Sequence, residues 1–383
     1  MYSEAAHPSL SGLLRPVGFE AIAGWRDDDH AAALSCFRIS ARRMAERPYG
    51  TKALGIDAAK LARIARLALS AGENGDASTA RRFFEAHFEP CRVDPSPRPS
   101  GFVTGYFEPE LPASPVRTSR FTYPLLRRPP DLVDIDDSNR PAGMDDSFRF
   151  ARKTPQGPVE YFDRGVIEAG ALAGRGLELA WLESAVDGFF VHIQGSARLA
   201  MPDGSHLRIA YAGKSGHPYT PIGRVLIDMG ALAREDVTMA SIRDWLRANP
   251  DRARDVMAKN RSFIFFAASG ETGPSSGAAT GPAMGPAMGP VGAASVPLTA
   301  GRSLALDHGL HTFGSPVWIA THMPLPGESK PFRRLMIHQD TGSAITGPAR
   351  GDLFVGSGDE AGAVAGAIRH DADFVVLVPK DAG

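Results

Sequence analysis

At about residue 100 the hydrophobic period of this chain changes from helical to extended, and that switch limits the folds open to it. Upstream, apolar residues recur at three- and four-residue spacing. Asp27 to Asp29 precede a predicted helix from about His30 to Glu46, with Leu34, Phe37 and Met44 among its apolar positions. A second helix is expected from about Ala58 to Ala71, on Leu61, Ile64, Ala65, Ala68 and Leu69. A third starts at Asp76 or Ser78 and ends near Phe88, where Pro90 and the stretch Pro95 to Pro99 stop the pattern.

Past Gly101 the chain reads as short strands punctuated by Gly and Pro. Phe102 to Phe107 is the first, followed by extended chain through Pro130. Others are expected at Gly188 to Ile193, Leu199 to Met201 and Leu207 to Tyr211, the last two joined by a Pro202 to Ser205 turn. Helices return at Ser241 to Ala248 and Pro250 to Lys259, the latter with Asn249 as its cap and Pro250 in the first turn. Gly270 to Ala294 is low in complexity and reads as a flexible excursion. Strands then follow at Leu304 to Leu306, Pro316 to Ala320, Leu335 to His338, Asp352 to Val355 and Phe374 to Val378, with one helix, Glu360 to Ile368. This run suggests a small β-barrel.

The 383 residues have room for two or three domains, and 43% apolar against 22% charged residues is the balance of a folded chain. A formal net charge of -1 with mixed signs argues against a nucleic-acid binder. No run of 18 apolar residues is present to span a membrane. Met1 to Leu10 has neither a basic n-region nor an apolar h-region, which leaves an export signal removed, a start downstream of one, or a cytoplasmic protein. Cys36 and Cys91 are the only cysteines, either one disulfide or two buried thiols. Ala33-Leu34-Ser35 before Cys36 fails as a lipid-attachment box, because Arg26 to His30 is charged where an apolar stretch is required.

Two acids stand out in the C-terminal strands. Asp340 ends the apolar run Leu335 to Gln339 and precedes a small-residue loop, Thr341 to Ala344. Asp352 opens Leu353-Phe354-Val355. A carboxyl among apolar neighbours and near a second carboxylate has a raised pKa, which suits a general acid near neutral pH. Each could equally be a turn aspartate accepting backbone hydrogen bonds.

Here the sequence resembles a known family. Asp340 to Gly347, Arg350-Gly351-Asp352-Leu353-Phe354 and Gly356-Ser357-Gly358 resemble the 3D-type double-psi β-barrel of the membrane-bound lytic murein transglycosylase A family, with Asp307 matching the first of its three aspartates. Thr104 to Pro109, His192 to Ser196, Tyr211 to His217 and Ile222-Gly223-Arg224 are similar to the same family, in order from about residue 100 to 380. The resemblance implies a mainly β fold with helices. A six-stranded double-psi β-barrel would be built from 101–108 and 241–383, with 270–294 a flexible loop. A smaller β domain would be inserted at 109–240, forming the other wall of a glycan groove, and the helical segment 1–100 would pack on the barrel.

It also implies roles. Asp352 matches the catalytic acid/base, with Asp340, Asp307 and Thr104 supporting it or positioning substrate. Tyr106, Gln194, Gly195, Ser196, Tyr211, Lys214, Gly342, Ala344 and Ile345 are implied substrate contacts. Arg350-Gly351 stands where barrel-type endoglucanases and expansins often show His-Phe, so the flanking contacts differ. The expected partner is the peptidoglycan glycan strand, acted on by a periplasmic, outer-membrane-associated monomer, with cell-wall synthesis or division proteins as further partners and no nucleic acid.

One carboxylate suffices if the nucleophile is the C6 hydroxyl of N-acetylmuramic acid. Asp352 would protonate the glycosidic oxygen and then accept the hydroxyl proton, leaving a 1,6-anhydro ring, whereas glycoside hydrolases use two carboxylates. A hydrolase with Asp340 as base, or a non-catalytic wall-binding module of expansin type, are the competing readings. His308, His311 and His322 lack ligand spacing, so no metal or other cofactor is expected. Gly213 to Gly216 lacks the P-loop pattern, and Ser196 lacks a nucleophile elbow. Trp181, Trp245 and Trp318 fit core positions better than sugar platforms.

Overall fold

A computed structural model describes residues 11–70, 76–268, 289–324, 327–342 and 344–381. The chain divides into two units, Met1–Phe107 with Gly277–Gly383, and Glu108–Ser276.

In the first unit, three helices cover one side of a sheet. They run His30–Glu46, Ala58–Ser70 and Ala77–His87. Asp29 caps the first by accepting from the Ala32 amide at 3.0 Å, and Asp76 caps the third by accepting from Thr79 at 2.7 Å, contacts worth about 1 kcal/mol each. Their apolar stripes, including Leu34, Phe37, Leu61 and Phe84, close on Trp318, Leu335, Ile337, Val375 and Leu377 of the strands beneath. A buried ion pair between Arg302 and Asp28 ties the entry of the first helix to this sheet.

Six strands close into a ring in the order Arg369–Pro379, Pro316–Pro324, Pro331–Asp340, Ser303–Leu306, Arg350–Ser357 and Gly101–Glu108, the last pairing back to the first. Each contributes to a second core of Val103, Leu304, Val317, Ile319, Met336, Leu353, Phe374 and Val376. Alternation explains the continuous apolar runs. Along 374–377, Phe374 and Val376 face this core while Val375 and Leu377 face the helices. Burying each such side chain stabilises the fold by roughly 1.5–3 kcal/mol.

The second unit is built on a six-stranded sheet and a three-stranded one. Four sequence expectations are corrected. Gly188 to Ile193, expected as a strand, lies within the helix Ala185–Gln194. Its apolar run is ambiguous by period, but Ser184 accepts from the Val186 and Asp187 amides, and Gly195 (φ 77°) ends the helix in the left-handed region. Residues 241–276, assigned to the barrel from sequence, fall in the second unit. There the helices Met239–Ala248 and Pro250–Ala258 pack Leu246 and Met257 with Phe189, Phe190 and Leu226, and the strand Ile264–Ala268 pairs with His206–Lys214. Asn249 sits at the expected cap position, yet its side-chain amide donates to the Trp245 carbonyl instead of accepting. The disulfide alternative also fails: Cys36 and Cys91 are free thiols in different cores.

Most of the 270–294 excursion lies outside the described residues. Its end does not: the Gly289 amide donates to the Leu298 carbonyl and the Leu298 amide to the Pro290 carbonyl, closing a loop whose turn is held by the Gly292 amide donating to the Val296 carbonyl. The Ala294 amide then donates to the Gln339 carbonyl. At Gly292 a Cβ would fall 2.5 Å from that same carbonyl oxygen, so only glycine lets the turn approach.

Candidate active site

The short strand Ser303–Leu306 organises the site. In register, Ala305 is level with Asp352 on one side and Asp340 on the other. Two strand spacings put the two aspartate backbones roughly 10 Å apart, with only a methyl group between them. Thr104 and Tyr106 alternate with Val103, just as Asp352 and Phe354 alternate with Leu353. Val103 and Leu353 face the ring's core, so these four side chains occupy the opposite face.

Asp340 reaches that face by a bulge. Leu304 pairs with His338, but Ala305 pairs with Asp340, so two residues advance on one strand against one on the other. The displaced residue, Gln339, is fully buried and donates to the Cys36 carbonyl at 3.1 Å and to Ser40 Oγ at 2.9 Å. It anchors the end of the strand to the first helix.

The two acids differ in their partners. Asp340 Oδ1 accepts from the Ala293 and Thr341 amides, both at 2.9 Å, and Oδ2 accepts from the Tyr106 hydroxyl at 2.8 Å. Burial pushes its carboxyl up, while those three donors pull it down. Burial also pushes the Tyr106 phenol well up, reinforced by the Asp340 charge, so it stays a donor. Among the described residues Asp352 accepts one bond, from Thr104 Oγ1 to Oδ1 at 2.6 Å. Burial raises its carboxyl to about 6, against the opposing pull of the Thr104 hydroxyl and the Arg350 guanidinium. A carboxyl with that value holds a useful fraction of its proton at mildly acid to neutral pH.

Asp307 contacts neither acid through a hydrogen bond. Its Oδ1 accepts from the Gly309 amide at 2.9 Å and its Oδ2 from Gly347 at 2.8 Å, which staples two loops together. The second loop carries Gly342 and Ala344, both exposed, and Ile345, which is buried and donates its amide to the Gly342 carbonyl. In the second unit, Gln194 ends its helix, Gly195 turns the chain and Ser196 starts the strand Ser196–Ala200. Tyr211, 44% exposed, and Lys214 lie on the strand His206–Lys214. Burial and the nearby Arg149 charge lower the Lys214 amine. Trp318 is a core residue, whereas Trp181 is half-buried with the Arg117 guanidinium over its ring.

Sequence reasoning missed the Ala293 amide, because low-complexity neighbours give no signal of a fixed donor. It also gave Arg350 no role. The available signal was its spacing of two from Asp352, which puts both on one face of a strand.

The chain matches known proteins along both units. Residues 102–267 match the MltA specific insert domain, and residues 302–378 match the 3D domain. A membrane-bound lytic murein transglycosylase from Agrobacterium tumefaciens is 44% identical, with a TM-score of 0.86 over 96% of this chain and 97% of that one. The chain therefore belongs to the MltA family of membrane-bound lytic murein transglycosylases. Membrane-bound lytic murein transglycosylase A of Escherichia coli K12 is 34% identical over 274 residues, which are 70% of this chain but only 62% of that relative. A structure of E. coli MltA with bound chitohexaose is 26% identical, with a TM-score of 0.66 over 98% of this chain and 96% of that one.

Proposed function

We propose that this protein is a lytic transglycosylase of the cell envelope, cleaving the β-1,4 bond between N-acetylmuramic acid and N-acetylglucosamine with a single acid/base, Asp352. In this reading the six-strand ring is a double-psi barrel. Protonated Asp352 donates to the glycosidic oxygen as the C1–O bond breaks. The resulting carboxylate takes the proton of the muramoyl C6 hydroxyl as that oxygen bonds to C1. A 1,6-anhydro end and a free C4 hydroxyl result, and no water is consumed.

The observation that carries this reading is the contrast in hydrogen bonding. Asp352, raised to about 6, keeps a useful fraction of its proton at mildly acid to neutral pH, with one oxygen unbonded among the described residues. Asp340 has both oxygens engaged by three donors, a poor arrangement for activating water as a hydrolase base. Gln194, Gly195, Ser196, Tyr211, Lys214, Gly342, Ala344 and Ile345 are proposed glycan contacts. Among the described residues no helix is long and apolar enough to cross a membrane. The envelope location follows from the membrane-bound relatives.

Mass spectrometry of muropeptides released from purified peptidoglycan tests this directly. Products one water lighter than hydrolytic ones, lost in Asp352→Asn, are expected. Products with a reducing end would return Asp340 to the role of base.

A further inference from the structure

We propose that Arg350 is a positioning residue for Asp352 and acts through Thr104. Its guanidinium fixes the Thr104 hydroxyl as a donor to Asp352 Oδ1, so the carboxyl carries its transferable proton on Oδ2. This rests on the reading of Asp352 as the acid.

The case is one of counting protons. A hydroxyl has a single proton to give and two lone pairs to receive. Arg350 Nη2 donates to Thr104 Oγ1 at 2.7 Å, and a guanidinium never accepts. The Thr104 proton therefore cannot point at Arg350, and its other partner is Asp352 Oδ1 at 2.6 Å. Without the arginine the bond could run either way, with a protonated Oδ1 donating to Thr104. With it, the bond has one direction, and Oδ1 stays an acceptor in both protonation states. Oδ2 accepts no protein hydrogen bond among the described residues, so it is the oxygen left to carry a proton and meet a substrate.

The sequence builds this arrangement from two short-range rules. Arg350 and Asp352 are two apart on the strand Arg350–Ser357, and Phe102 and Thr104 are two apart on the neighbouring strand Gly101–Glu108. All four therefore share a face. The guanidinium is held by the Gly351 carbonyl and by the Phe102 ring, 5.5 Å from its centroid. A second guanidinium, Arg98, lies 5.0 Å from the same ring. The other charged or titratable groups acting on this carboxyl are Asp340, across Ala305, and Tyr106, whose phenol feels the Asp352 charge. The relay favours the carboxylate left after proton donation, so it limits how far burial can raise the acid.

Carbon-13 NMR titration of the aspartate carboxyls in the full chain tests the relay, with the Asp352 signal assigned by its loss in Asp352→Asn. The wild type should titrate near about 6. Thr104→Val should raise the midpoint by about one pH unit, and Arg350→Met by about half of that or more. Thr104→Ser, which keeps the hydroxyl, should stay at the wild-type value and covers the case in which valine disturbs the fold. The decisive variant is Thr104→Val with Arg350→Met: the arginine effect should be clearly smaller there than with Thr104 present, leaving only the direct pull of the guanidinium charge. An arginine effect of equal size in both backgrounds would mean charge acting through space and would overturn the relay, as would no effect at all. The titration reads no turnover. An active Asp352→Asn enzyme would therefore sink the acid assignment while leaving this measurement interpretable.

Discussion

The two sides of Ala305 hold the same functional group in opposite circumstances. Among the described residues, Asp352 on one side has a single donor, Thr104, and Asp340 on the other has three, counting two backbone amides. Burial drives both carboxyls upward. What separates them is how many donors meet the charged form, and therefore which proton is free to move. The side with few donors suits chemistry, and the side with many suits architecture.

The largest effect that could break this comparison is on turnover. Asp352→Asn should lower the rate of peptidoglycan solubilisation by about 10²- to 10⁴-fold, the usual contribution of a general acid, with an unchanged circular dichroism spectrum. A folded variant that keeps a tenth of the activity would mean the proton comes from elsewhere.

Stability should respond the other way round. Asp340→Ala strands the Tyr106 hydroxyl and the Ala293 and Thr341 amides, so denaturant unfolding should show a loss of about 3 kcal/mol. Asp352→Asn should instead stabilise the chain at pH 8. The folded carboxyl near about 6 lies above the usual value near 4, so the native state binds its proton more tightly. That contribution is fully present below about pH 4 and is lost as pH rises through about 6. Removing the ionised group should therefore gain on the order of 2 kcal/mol at pH 8, since some solvent access remains, and nothing at pH 4. The smallest effect sharpens the contrast: Tyr106→Phe removes one of three donors and should cost about 1 kcal/mol by chemical denaturation. A loss as large as that of Asp340→Ala would place the whole role of Asp340 in that single bond.

Much of this was legible locally. Asp29 and Asp76 announced their helices, and the apolar run at Phe374 to Val378 announced a strand, which the structure buries on both faces. One miss was local, and the rest were set by partners distant in sequence. The helix Ala185–Gln194 looks like a strand by composition, and its cap and its terminal glycine decide the matter. Residues 241–276 join the second unit because Ile264–Ala268 pairs with His206–Lys214, which no window around 264 reveals. At the site, the Asp340 and Asp352 positions stood out, but the bulge at Gln339 that turns Asp340 to the site face did not. Nor did the Ala293 donor, brought in by a turn that a low-complexity stretch conceals. Asp307 was legible as a matched aspartate, yet its hydrogen bonds go to the Gly309 and Gly347 amides and to neither acid.

The most direct test of the central claim is the pH dependence of kcat/KM on purified peptidoglycan. If Asp352 must start protonated, the rate should fall above about pH 6, approaching a tenfold loss per pH unit. A rate that rises with pH through that range, as an ionised base requires, would contradict the account.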